Sequence, residues 1–409
     1  MLTFPFVLIG SFCQIIQLTL LTKTGFLASI FHLSTWVPYY KYLHYPFDSL
    51  ANLTLDSVAI IAAFGAAKYY AKIYHRDDQL AGLSGAIALL LIAYEYSDQR
   101  EETFNPVLLG TNGFTSAILI GIVIGVLFRL FGKSTDASRE THTTQILDRT
   151  FASLLPMALS FMLAVGVGLA LNWFMLVDYS EQTAVQLQKI AMSSHNIGLT
   201  FGLAALTLLM EILGLAGPLE QRLLVNAPSM TTNLNYALSH HSAYHVPFPY
   251  TVNTLYKAFG TFGGTGMLLA LIIAIIMSSH NHNYHIVARW SLVPALFNSS
   301  GPMMTGLPVL YNPIYAIPFI VAPLVNMAIG GLAIWLQWLP PMVYPVPLGT
   351  PGPLIAFIGT NGNLVALFIG VLDLTISVLI YLPFMRLAEA TLHAAHEETL
   401  RLEMTGDEN

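Results

Sequence analysis

The sequence predicts an all-α integral membrane protein, with about ten transmembrane helices and two re-entrant hairpins in its C-terminal half. Three observations predict it. Of 409 residues, 55% are hydrophobic and only 9% charged, more apolar surface than one water-soluble core can hide, so lipid must be part of the solvent. Apolar runs of about 20 residues, the length that crosses a hydrocarbon core, recur along the chain. The 22 prolines and 30 glycines would disrupt a soluble bundle, but membrane helices tolerate them and broken helices require them.

In chain order the runs fall near 2–22, 56–74, 79–95, 107–132, 152–176, 195–217, 261–278, 306–338 and 364–385. The first has no positive segment before it and no small-residue cleavage site after it, which makes it a spanning helix and not a signal peptide. Two later segments, 287–308 and 340–363, are apolar but interrupted by Pro, Gly and Asn. They read as re-entrant hairpins, whose bare backbone must be buried in protein or line a water-filled site. If the spans alternate from a cytoplasmic N-terminus, Lys68, Lys72, Arg76, Arg129, Lys133, Arg139 and Arg149 fall inside, against Lys23, Lys41, Arg100 and Lys189 outside. That bias follows the positive-inside rule.

The net charge of −6 is spread over loops and tail with no basic run, which excludes nucleic acid as a partner. Cys13 is the one cysteine, so an intrachain disulfide and a thiolate metal site are excluded as well. A change of composition near residue 190 divides the chain. Before it, helices are separated by ordinary polar loops; after it, Pro, Asn and Gly are interleaved with the apolar runs, which is where a substrate path would lie.

The richest stretch opens Gly260-Thr261-Phe262-Gly263-Gly264-Thr265-Gly266 and continues with Pro294-Ala295-Leu296-Phe297-Asn298-Ser299-Ser300-Gly301-Pro302. It closes with Gly306-Leu307-Pro308, Asn312-Pro313 and Pro318-Phe319-Ile320-Val321-Ala322-Pro323. In this order the segments resemble the signature half of the lactose/cellobiose/diacetylchitobiose membrane subunits (EIIC) of bacterial phosphotransferase systems. That family carries a Gly-Gly-Ser-Gly run, a Phe-Asn-(x)-Asn-Glu-Pro hairpin, a Gly-Leu-Pro and an Asn-Pro followed by Pro-Phe-(x)-(x)-Ala-Pro. Weaker resemblance covers residues 5–12, 63–82, 109–114 and 380–384, although the chain begins inside the family's first helix and lacks its amphipathic leader.

The resemblance implies a multi-pass protein of the bacterial cytoplasmic membrane, a homodimer in the lipid bilayer. Residues 1–190 would form the scaffold and dimer interface, residues 191–388 would carry sugar, and residues 389–409 would be a cytoplasmic tail. It implies sugar as substrate and IIB and IIA subunits as partners. Any phosphotransfer would be done by IIB, and no cofactor is implied.

Two polar anchors of the family are missing. Gly301 stands where the hairpin has Glu, and Ala216, in Gly214-Leu215-Ala216-Gly217, stands where a Gly-Ile-His-Gly motif has His. The losses suggest altered chemistry. The alternative to a coupled permease is therefore a degenerate relative uncoupled from phosphorylation, acting as facilitator, exporter or membrane sensor or partner.

Glu211 and Asp373 are ionisable groups in apolar helices, costly to keep there and so functional candidates; the competing use is structural, at a helix end for Glu211 and as a partner of a neighbouring hairpin's backbone for Asp373. On a continuous helix Glu211 and Ala216 would stand about 140° apart and would not share a face. The candidate sugar-binding groups are Asn298, Ser299 and Ser300, neutral donors and acceptors suited to hydroxyls, with Gly301, Gly263, Gly264, Thr265 and Glu211. Capping of half-helix ends is the competing use of the polar three, and close helix packing that of the glycines.

A phosphate-cradling loop does not fit, because Lys257 precedes the glycines and no Lys-Ser/Thr follows them. His240, His241 and His245, and His280, His282 and His285, form two clusters, and His241 with His245 has helical i,i+4 spacing. They lack an adjacent carboxylate or thiolate, so no metal is expected. Trp335, Trp338 and Tyr344 suit an interfacial belt better than a sugar platform.

Overall fold

The computed structural model describes residues 2–94, 104–133, 143–173, 186, 196–219 and 228–406. Arg100, Arg139 and Lys189 of the charge count lie outside the described residues. Among the described residues, regular structure is helical apart from two isolated bridges, Gly25 with Leu348 and Tyr94 with Phe104. Among the described residues six helices are long and apolar enough to cross a membrane: Phe4–Leu21, Tyr42–Ile73, Thr111–Phe131, Phe151–Trp173, Pro313–Trp335 and Leu364–Leu392. Shorter apolar helices lie at Asp78–Ala93, Ile197–Ile212 and Thr265–Ser278.

The chain forms two units, one from Met1–Gly10 and Leu50–Val185, the other from Ser11–Ser49 and Gln186–Asn409. The break near 185 falls close to the change of composition, but Ser11–Ser49 groups with the second unit. The early helices are α1 (Phe4–Ile15), α2 (Phe26–Phe31), α3 (Leu33–Trp36) and α4 (Tyr40–Leu55). The hydropathy reading leaves 23–55 unassigned because α4 is only weakly apolar and carries Pro46 inside it.

The first unit is built on α5 (Val58–Ile73), α6 (Asp78–Ala93), the short α7 (Pro106–Leu109), α8 (Phe114–Phe131) and α9 (Thr143–Trp173). Asp77 starts α6 as an N-cap, its carboxylate accepting from Leu80 N–H at 3.0 Å, which satisfies one of the free amides of the first turn. Small residues then let the helices meet backbone to backbone. A Cβ at Gly121 would stand 2.6 Å from the Ala63 carbonyl oxygen, and one at Gly85 2.8 Å from the Ala67 Cβ. Ala63, Ala67, Ala71, Ala81 and Ala88 are fully buried along this seam.

The second unit is assembled from α10 (Ile197–Ile212), α11 (Pro228–His240), α12 (Leu268–Ser278), α13 (His282–Leu296), α14 (Gly301–Gly306), α15 (Pro313–Trp335), α16 (Gly352–Gly359) and α17 (Leu364–Gly406). Asparagines start four of them. Asn196, Asn281, Asn312 and Asn363 each accept a bond from a first-turn amide with the side-chain oxygen, and Pro313 follows Asn312 at the first helical position, where its missing N–H costs nothing.

Several runs are shorter or longer than their hydropathy suggests. The 261–278 run becomes helical only at Leu268, because Gly263, Gly264, Gly266 and Met267 all have positive φ. The 195–217 run ends as a helix at Ile212, and Gly214, at φ 64°, turns the chain so that Gly217 packs on Thr207. α17 continues through the boundary at 388 to Gly406, and Glu389 is buried. There its Oε1 accepts from Ser279 Oγ at 3.1 Å and His280 N–H at 2.9 Å.

Candidate functional site

The first hairpin is α13, a four-residue tip, and α14. Its tip follows from the way α13 ends. Asn298 N–H donates to Ala295 C=O and Ser299 N–H to Pro294 C=O, the paired bonds of a Schellman termination. Such an ending requires a left-handed residue, and Asn298 takes φ 64°; asparagine tolerates this region better than other side chains except glycine.

The second hairpin is asymmetric. Its first limb, 340–351, has no regular helix, and its second is α16 followed by a turn through Asn361 and Gly362, both at positive φ, into α17. The tip of that limb is pinned by Phe26 N–H on Leu348 C=O at 2.9 Å and by Leu348 N–H on Thr24 C=O at 3.0 Å.

Three segments far apart in sequence meet at the Asn298 side chain. Its Oδ1 accepts from Gly263 N–H at 3.0 Å. Its Nδ2 donates to Thr350 C=O at 2.7 Å. One amide thus ties the tips of both hairpins to the glycine-rich turn. Gly264, at φ 86°, leaves just enough room: a Cβ there would stand 2.7 Å from Ser300 Cβ and 2.9 Å from Ser300 N. Beneath the turn, Phe262 N–H donates to Met267 Sδ at 3.3 Å, and Thr265 is buried.

Of the sequence candidates, Gly263, Gly264, Thr265, Asn298, Ser299, Ser300 and Gly301 therefore fall on one junction. Asn298 is engaged in holding it. Ser299 and Ser300 are half-buried, and no protein partner is recorded for either hydroxyl among the described residues. Gly301 begins α14 directly after them. Glu211 is buried in the last turn of α10. Tyr311 N–H on Ile212 C=O at 3.0 Å sets that end of α10 beside the loop after α14, at the far end of α14 from Ser300.

Because α10 stops at Ile212, Ala216 lies in the turn beyond it, and the helical-wheel separation of Glu211 from Ala216 does not apply. The i,i+4 argument for His241 and His245 fails for the same kind of reason. α11 ends at His240, and both of the later histidines have positive φ. Lys257, ahead of the glycines, is held by burial below the usual lysine pKa.

The sequence model of the family described as "Phosphotransferase system, EIIC" matches residues 1–323. The chain belongs to that family. It is a multi-pass protein of the bacterial membrane, as EIIC proteins are. The cellobiose-specific EIIC component of Lactococcus lactis subsp. lactis (strain IL1403) is 40% identical over 129 residues, 32% of this chain and 26% of that protein. The lactose-specific EIICB component of Lacticaseibacillus casei is 27% identical over 307 residues, 73% of this chain and 52% of that protein.

The chain thus spans about a quarter and about half the length of these two relatives. The solved transporter ChbC, the IIC component of the N,N'-diacetylchitobiose-specific phosphotransferase system, aligns over 97% of this chain and 93% of its own. The TM-score is 0.45 and the identity 19%. The EIIC match runs through both Ala216 and Gly301.

The sequence reading did not find Thr350, Met267 or the strand-like contact of Leu348 with the segment after α1. Only the Pro-Leu-Gly-Thr-Pro-Gly string at 347–352 marks that tip as a tight turn.

Proposed function

We propose that the chain is a sugar permease subunit of a phosphotransferase system, lactose/cellobiose type, which binds a disaccharide or related oligosaccharide and moves it across the membrane. A IIB partner, supplied through IIA, carries out the phosphotransfer. In this reading residues 1–190 form scaffold and homodimer interface, and residues 191–388 carry the sugar. The single observation that carries it is the junction itself. Two hairpin tips and a glycine turn are fixed by Asn298, leaving the Ser299 and Ser300 hydroxyls beside them without a partner among the described residues. Neutral groups that both donate and accept suit sugar hydroxyls, and half-helix ends with bare backbone at such a place are the usual construction of a midplane substrate site.

Glu211 contributes a carboxylate from the end of α10, in the absence of the family's Glu and His anchors. An uncoupled facilitator, exporter or sensor is the weaker reading. It rests on Ala216 and Gly301 alone, whereas the family match passes through both positions and the cellobiose- and lactose-specific relatives support the permease.

The test is binding and phosphorylation of labelled cellobiose and lactose by vesicles holding this chain with IIA, IIB and HPr. Ser299→Ala and Ser300→Ala are each expected to weaken sugar affinity about 5- to 10-fold, the loss of roughly one hydrogen bond, with unchanged melting temperature. Absence of binding across a panel of disaccharides, or a double variant that binds as tightly as wild type, would reject the assignment.

A further inference from the structure

Asp373, an intramembrane acid that the sugar site does not use, belongs to a second polar cluster in the interior of the same unit. On α17, Asp373, Ser377 and Tyr381 are spaced four apart and so share one face. All three are 0% exposed, as is Asn326 on the neighbouring helix α15. Tyr381 donates its hydroxyl to Gly266 C=O, and Asn326 Nδ2 donates to Ser377 Oγ at 2.9 Å. The same nitrogen lies 3.7 Å from Met267 Sδ. A thioether accepts and cannot donate, so the nitrogen end of the amide faces that side and Oδ1 points away from it.

Among the described residues that Oδ1 has no donor, and neither has Oδ1 or Oδ2 of Asp373. By covalent geometry the amide oxygen lies within about 5 Å of Ser377 Oγ. Asp373 stands one helical turn, roughly 6 Å between Cβ atoms, from the same residue.

Three acceptor oxygens without a donor, shut away from water, are expensive to leave so, and a carboxylate inside a membrane is more so. A proton on Asp373 together with the Ser377 hydroxyl supplies two donors for three acceptors. A monovalent cation held between α15 and α17 would satisfy all three and cancel the charge, whereas a divalent one would leave a positive charge buried without a partner. Carboxylate, amide and hydroxyl oxygens together select a hard cation.

We propose that Asp373, Asn326 and Ser377 form a binding site for one alkali cation between α15 and α17. Met267 links it to the glycine-rich turn, since its sulfur also receives the Phe262 N–H at 3.3 Å. Occupancy thus braces the turn that Asn298 clamps. The site stands whether or not the junction binds sugar.

The experiment is thermal unfolding of the purified full chain in detergent with NaCl, KCl or choline chloride at constant ionic strength, together with direct binding of labelled Na+. The expected result is a saturable rise in melting temperature with NaCl or KCl over choline, as for any ligand of the folded state, and no rise for Asp373→Asn. That variant keeps the side-chain shape and brings its own donors, so it is expected to fold, and the labelled-Na+ measurement reads the site independently of stability. Equal melting in all three salts without Na+ binding would overturn the proposal, as would an undiminished alkali response in Asp373→Asn. A melting temperature that follows pH and ignores alkali cations would overturn it in favour of a proton.

Discussion

In the first unit α5, α6 and α8 come together through residues with almost no side chain, while in the second unit comparable closeness is reached by broken backbone tied with amides and hydroxyls. Gly121 and Gly85 meet the backbone or Cβ atoms of Ala63 and Ala67; Gly263, Asn298, Thr350, Asn326 and Ser377 meet through hydrogen bonds. The difference is physical. Lipid gives helices no hydrophobic reason to associate, so van der Waals contact between smooth faces is one solution and buried polar contact the other. The first makes a stiff seam. The second can exchange partners.

The comparison predicts its largest effect at Gly121. A side chain there runs into the Ala63 carbonyl at 2.6 Å and the Ala66 Cβ at 2.7 Å, and neither can give way unless the helices separate. Gly121→Leu is expected to destabilise by about 3 kcal/mol or more, the upper end of overpacking costs, and to yield little monodisperse protein. Gly166→Leu on α9 is the control, since nothing lies within 4 Å of its Cβ position, and it should melt like wild type. If both variants behaved alike in size-exclusion and thermal melting, the seam would not be what holds the first unit.

The second effect falls on Asn298, where the side chain and the backbone can be tested apart. Asn298→Ala removes two hydrogen bonds, worth about 1 kcal/mol each, and places alanine in the left-handed region at a further cost of about 1–2 kcal/mol. Asn298→Gly removes the bonds and relieves the backbone. The glycine variant should therefore melt higher than the alanine variant, while both lose at least about 10-fold in sugar uptake. Normal uptake by Asn298→Gly would show that the amide does not clamp the tips.

How much of this was legible in the sequence differs between the same two regions. Smooth helices announce themselves by length and hydropathy, so the runs of the first unit fall near their observed positions. In the second unit hydropathy overstates the helices, because it responds to composition and not to φ. The 261–278 run is apolar throughout its start, yet Gly263, Gly264 and Gly266 turn it before Leu268.

The ordered motifs located the junction from Gly263 to Gly301, since the residues that make tight turns are the same ones that make recognisable strings. The partner of Asn298 was not legible, because Thr350 contributes a backbone carbonyl and any residue has one. The cluster at Asp373 was visible only as one costly acid. Its company, Asn326 and Ser377, comes from other turns of packed helices, and no local pattern records that pairing.

The smallest effect is expected where a strong sequence signal meets an open surface. Trp335 ends α15 and Trp338 lies in the turn after it; both invite a sugar-stacking role, but they are 68% and 61% exposed, and Gln337 between them turns the chain at φ 58°. A ring open over most of its surface suits the boundary between acyl chains and headgroups, where indole places its apolar body in one phase and its N–H in the other. Trp335→Ala and Trp338→Ala should therefore leave the sugar KM within about 2-fold of wild type, since they remove no hydrogen bond from the substrate. A 10-fold rise in KM for either variant, measured by uptake at equal protein level, would move the sugar path from the Asn298 junction to the end of α15. It would also make the outward face of the second unit, and not its hydrogen-bonded interior, the part that recognises the solute.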